Sequence, residues 1–168
     1  CRNVFIFRRA MRRCLEEGNI DLIVMFEDNI SYYSDQLLAE GNKKKLPSLV
    51  LPYCITSKEE LAKSRICSKP NIPQYSVLGR FIEKYIPHYT TPLIGINVIY
   101  QQPEFAFVHS FLSRTKHPFI LNSGDFSAIG FESTQMRVFY AAQGALGNQE
   151  VYITGSIWMD ILAKQKDQ

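Results

Sequence analysis

Arg8, Arg9, Arg12 and Arg13 stand within six residues of one another near the start of the chain. In a helix, Arg8/Arg12 and Arg9/Arg13 are like-charge pairs at i,i+4, which repel slightly, so an anion is expected nearby. A guanidinium cluster holds phosphate or carboxylate in a bidentate fork. Lys43, Lys44 and Lys45 extend the patch if the fold brings their turn close, and Tyr32 and Tyr33 are candidates for base stacking beside it. The simpler reading is a solvated helix face balanced by Glu16, Glu17 and neighbouring acids.

Asp21, Glu27, Asp28 and Asp35 form a second set. Acids at the end of a buried strand bind Mg²⁺ in nucleases and phosphotransferases. The acid–x–Lys pattern on a later strand is absent, and helix capping by Asp28 with surface acids elsewhere accounts for the same residues. Cys54 with His88 or His109 and Asp125, or Ser123 with a histidine, can be drawn as nucleophile triads. Neither has a GxSxG elbow, and Asn122–Asp125 reads as ordinary turn chemistry. A zinc site would combine Cys54, Cys67, His88 and His109, none at finger spacing. No GxGxxG or GxxxxGK[ST] cradle occurs, which disfavours the two common nucleotide loops. No catalytic residue, metal or cofactor is assigned. Among the 11 Phe, 9 Tyr and 1 Trp, four tyrosines fall in or beside expected loops and faces: Tyr32, Tyr33, Tyr75 and Tyr89. Tyrosine, with a wet end and a dry body, suits docking.

These residues need a scaffold. With 168 residues the chain is expected to be one domain, 1–168, and the start at Cys1 rather than Met reads as a fragment of a larger protein. A content of 46% hydrophobic and 21% charged residues is too apolar for a disordered chain. No apolar run reaches the roughly 18 residues a membrane span needs, so no membrane partner and an intracellular location, cytoplasm or nucleus, are expected. Cys1, Cys14, Cys54 and Cys67 are sparse and irregular; they read as reduced, with Cys14 and Cys54 in or near the core. The net charge of +3 is uneven, with 14 basic against 10 acidic residues in 1–84 and 5 against 6 in 85–168. The basic excess points to an acidic partner on the N-terminal side.

Apolar spacing predicts helices over Val4–Glu17, Ile30–Glu40, Lys58–Arg65, Ser76–Ile86 and Ser156–Lys166, the last with Ile157, Ile161 and Leu162 inward. Strands are expected at Ile20–Phe26, Ser48–Ile55 and Leu93–Gln101. Pro103–Ser113 fits either type. Short strand-like runs at His117–Asn122, Phe126–Glu132, Arg137–Ala142 and Glu150–Thr154, split by turn residues, suggest an antiparallel meander. The expected fold is α+β: a mixed sheet with a helix-rich N-terminal half, a meander in the C-terminal half and helices packed on the sheet, a parallel portion being the alternative.

The leading functional reading is a non-enzymatic interaction domain recognising a protein partner. The second is nucleic-acid binding, to RNA or DNA, through the basic N-terminal helix. The third is a metal-dependent hydrolase or nuclease.

Overall fold

A computed structural model describes residues 2–29, 31, 33–66, 71–112 and 115–156. The order is α1 (Arg2–Glu17), β1 (Ile23–Met25), α2 (Ser34–Lys43), β2 (Ser48–Val50), α3 (Lys58–Ile66), α4 (Val77–Tyr85), β3 (Thr90–Leu93), β4 (Ile96–Ile99), α5 (Pro103–Leu112), β5 (Ala128–Phe131), α6 (Thr134–Ala142) and β6 (Glu150–Ile153). Helices and strands mix as expected for α+β, but the sheet differs from the mixed sheet with a meander.

Four strands form one parallel sheet in the order β1-β2-β5-β6. The only antiparallel pair among the described strands, β3 with β4, forms a separate two-stranded sheet. The single strand expected at Leu93–Gln101 is instead the last residue of β3, a turn and β4. The two-residue turn is Ile94-Gly95, both at positive φ (50° and 76°), the geometry of the tight hairpin turn that matches strand twist. Isoleucine gives no turn signal, so the turn was hidden. Arg137–Ala142 is helix rather than strand. Ser133, read as a turn residue, is its N-cap and accepts from the Met136 N–H at 3.2 Å. Met136 and Tyr140, one helical turn apart, are its buried stripe. His117–Asn122 is irregular, and Pro103–Leu112 resolves the ambiguous segment as helix.

Elsewhere local chemistry matches structure. Ser57 and Glu60 close a reciprocal capping box on α3: the Glu60 N–H donates to Ser57 Oγ (3.2 Å) and the Ser57 N–H to Glu60 Oε2 (2.8 Å). Ser76 caps α4 through the Gly79 N–H at 2.8 Å. The Ser156–Lys166 helix lies outside the described residues apart from Ser156, which is irregular.

The strand order is sequential, so crossovers of the usual hand put their helices on one face. On that face Ile23, Met25, Val50, Ile129 and Phe131 meet Leu15 of α1, Leu38 of α2, and Met136 and Tyr140 of α6. A second core fills the insert between β2 and β5, where Ala62, Ile82, Tyr89, Val98, Tyr100 and Phe119 pack together. No described helix is long and apolar enough to cross a membrane.

Candidate functional site

The basic cluster assembles, but around an internal anion. Glu40 of α2 is buried, its side chain 3% exposed, and three cations reach it: Arg8 Nε at 2.6 Å, Arg12 Nε at 3.0 Å and Lys43 Nζ at 2.8 Å. Burial alone would raise its pKa; hydrogen bonds from Arg12, Lys43 and Arg8 more than reverse that and hold the carboxyl at about 2. The same carboxylate raises the pKa of Arg12. Glu40 is thus the anion that the clustered arginines implied, and it clamps α1 to α2. Arg13 bonds Glu17 on the surface at 2.7 Å. Arg9, Lys44 and Lys45 are exposed.

The four tyrosines do not form one surface. Tyr89 is 1% exposed in the insert core, which removes it as a docking residue. Tyr33 is half-buried and stacks on Phe7, with ring centres 4.8 Å apart. Tyr75 is exposed, and Tyr32 lies outside the described residues.

The acids separate as well. Asp21 is exposed; Glu27 accepts from Asn29 Nδ2 at 2.8 Å. Asp28, just past the carboxyl end of β1, is buried. Its backbone exchanges bonds with Asn122: its N–H donates to Oδ1 at 2.7 Å, and the Asn122 N–H returns to its carbonyl at 3.0 Å. Ser34 Oγ donates to Asp28 Oδ1 at 3.2 Å. Gly124 passes so close that a Cβ there would stand 2.1 Å from Asp28 Oδ2, so only glycine fits. Burial first, then the charge of Asp35, pushes the Asp28 pKa up to about 7. Asp35 lies against the fully buried His109, Oδ2 to Nδ1 at 3.2 Å, and takes the Gln36 amide at 2.8 Å. His109 is stacked on Phe105, ring centres 4.2 Å apart.

No triad forms from the candidate nucleophiles. Cys54 Sγ lies 4.0 Å from Glu27 Oε2 and from Thr56 Oγ1, and burial followed by the Glu27 charge raises its pKa, which disfavours the reactive thiolate. The Ser123 hydroxyl donates to the His117 carbonyl at 2.9 Å. Cys14, expected near the core, is exposed: it falls on the solvent side of α1, whose core positions are Val4 and Leu15. Among the described residues no group of three His, Cys, Asp or Glu is placed to hold a metal ion.

The feature that sequence reasoning missed is the far face of the sheet. The register puts Leu22, Val24 and Phe26 of the β1 segment, Leu49 and Leu51 of the β2 segment, and Tyr152 of β6 on the side away from the helices. Val24 is 51%, Phe26 63% and Tyr152 51% exposed. Neighbouring Tyr53 is exposed too. Two shallow hollows lie here, about 640 Å³ beside Leu22 and Leu49 and about 490 Å³ beside Phe26, Leu51 and Tyr53. The signal was present: Leu22, Val24 and Phe26 alternate with Ile23 and Met25 in one all-apolar run, as a strand apolar on both sides must.

Comparison with models of known protein families, with curated proteins and with solved structures found no match.

Proposed function

We propose that this chain is a non-enzymatic interaction domain that docks a protein partner on the open face of its parallel sheet. One observation carries the reading. The face holding Leu22, Val24, Phe26, Leu49, Leu51 and Tyr152 is apolar, and no described element covers it. Parallel sheets occur almost only with both faces covered, usually by helices, and a contiguous exposed apolar patch marks an interaction site. The occupant is an amphipathic helix of a partner, flanked by Lys or Arg, because Glu132 and Glu150 stand at the ends of the face. Burying Phe26 and Tyr152 contributes about 1.5–3 kcal/mol each, enough for them to act as anchors.

The test is partner capture by the full chain, compared with Val24→Asp/Phe26→Asp and Arg9→Gln/Arg13→Gln double variants, each first checked for native circular dichroism. A partner that is lost with the sheet-face variant and kept with the arginine variant, together with new amide protection in β1 and β2 in its presence, supports the reading. Loss only with the arginine variant, combined with steep salt dependence and binding of labelled RNA or duplex DNA, replaces it with nucleic-acid recognition on the basic helix. A cysteine placed at Val24 or Phe26 that fails to react with a water-soluble maleimide in the isolated monomeric chain overturns it too, since the face is then covered from within.

A further inference from the structure

A second site stands apart from the sheet face, where the loop after β1 meets the insert. Arg65, in the last turn of α3, is half-buried. One terminal nitrogen donates to Ser31 Oγ at 3.0 Å, and its guanidinium carbon lies 4.8 Å from the centre of the Tyr100 ring. Its Nε is buried and, among the described residues, has no hydrogen-bond partner. Among the described residues no carboxylate comes within 4.0 Å of it, unlike Arg8, Arg12 and Arg13.

The neighbours sharpen this imbalance. Asn29 Oδ1 already accepts from the Ser31 N–H at 2.9 Å and the Tyr100 hydroxyl at 3.1 Å. Gln101 Nε2 reaches Ser31 Oγ only at 3.4 Å. Glu27 turns to the Asn29 amide and the Cys54 thiol. A guanidinium has five N–H donors and a carboxamide two, so the cluster holds more donors than acceptors. A half-buried cation left this way is costly unless something pairs with it. Asn29, Ser31, Arg65 and Gln101 all keep partial contact with solvent. The cluster lies just beyond the carboxyl end of the edge strand β1.

We propose that this side-chain cluster binds an oxyanion, the phosphate or carboxylate group of a small molecule, with Arg65 as its ionic anchor and Ser31 and Gln101 as its side donors. The planar fork of Arg65 suits bidentate pairing with either group.

Thermal denaturation of the full chain is followed with increasing inorganic phosphate, and separately succinate, at constant ionic strength made up with chloride. Saturable stabilisation by one anion and not by chloride is expected, following ligand linkage to the folded state. Phosphate alone or succinate alone then identifies the source. Arg65→Gln should weaken the response by about tenfold or more. Arg65→Lys should keep part of it, and Arg9→Gln/Arg13→Gln all of it. No saturable response to either anion, an equal response in Arg65→Gln, or loss of the response in the Arg9/Arg13 variant would each overturn the proposal.

Discussion

Glu40→Ala unfolds at markedly lower denaturant than the parent chain at pH 7, with a loss of about 3–5 kcal/mol, the usual cost of removing one partner from a buried charge pair. The cause is asymmetric. Arg8, with a side chain only 16% exposed, keeps its charge and loses its anion, whereas Arg12 and Lys43 are about half exposed and can rehydrate. Glu40→Gln retains the shape and one acceptor and should lose less. The pH dependence follows from the lowered pKa. With about 2 in the folded state against an ordinary 4.5, the carboxylate's contribution is fully present above about 4.5 and is lost as pH falls towards 2. At roughly 1.4 kcal/mol per unit this is about 3 kcal/mol, in line with the mutational range. Denaturation of parent and Glu40→Ala at pH 7 and pH 3 should show the gap closing at acid pH. A gap unchanged between the two would mean that Glu40 acts through packing alone.

Asp28 has the opposite sign. Its folded pKa of about 7 exceeds the ordinary 3.8, so the native state holds a proton that the unfolded chain releases near pH 4. Its effect on stability is most favourable below pH 4 and declines as pH rises to about 7, a cost of about 4 kcal/mol at full ionisation. Asp28→Asn cannot ionise. It still accepts from Ser34 Oγ, although its amide then faces the Gly124 N–H. It should be more stable than the parent at pH 8 by about 2 kcal/mol or more, and the two should converge near pH 4. Parallel stability curves from pH 4 to pH 8 would show that Asp28 does not retain its proton in the fold.

Local elements were legible where a single turn of chain decides them: the helices expected over Val4–Glu17, Lys58–Arg65 and Ser76–Ile86. Errors arose where tertiary packing overrode a local signal. Val138-Phe139-Tyr140 has strand-like residues, yet Ser133 capping and the buried Met136–Tyr140 stripe make a helix. The parallel sheet was only an alternative, because strand direction is decided by pairing across dozens of residues. The candidate sites were hidden for the same reason. Glu40 meets Arg8 across 32 residues, and Arg65 meets Ser31 across 34. Composition gave the arginines their charge without revealing that the nearest anion lay in the next helix.

The long insert has a consequence for how the chain assembles. β1 and β2 pair across one short crossover, as do β5 and β6, but the seam between them, Leu49↔Ala128 and Val50↔Ile129, closes over residues 51–127. Loop closure on that scale costs about 4 kcal/mol in chain entropy before any contact repays it. The two half-sheets and the insert, each with local contacts, should therefore form first and the seam zip last. Pulse-labelled exchange during refolding should protect amides at the β1–β2 junction before those at the β2–β5 junction. Simultaneous protection would mean one concerted nucleus. Late closure leaves β2 and β5 as temporary unpaired strand edges, so the sheet's interior, rather than its rim, is where misassembly between chains would begin.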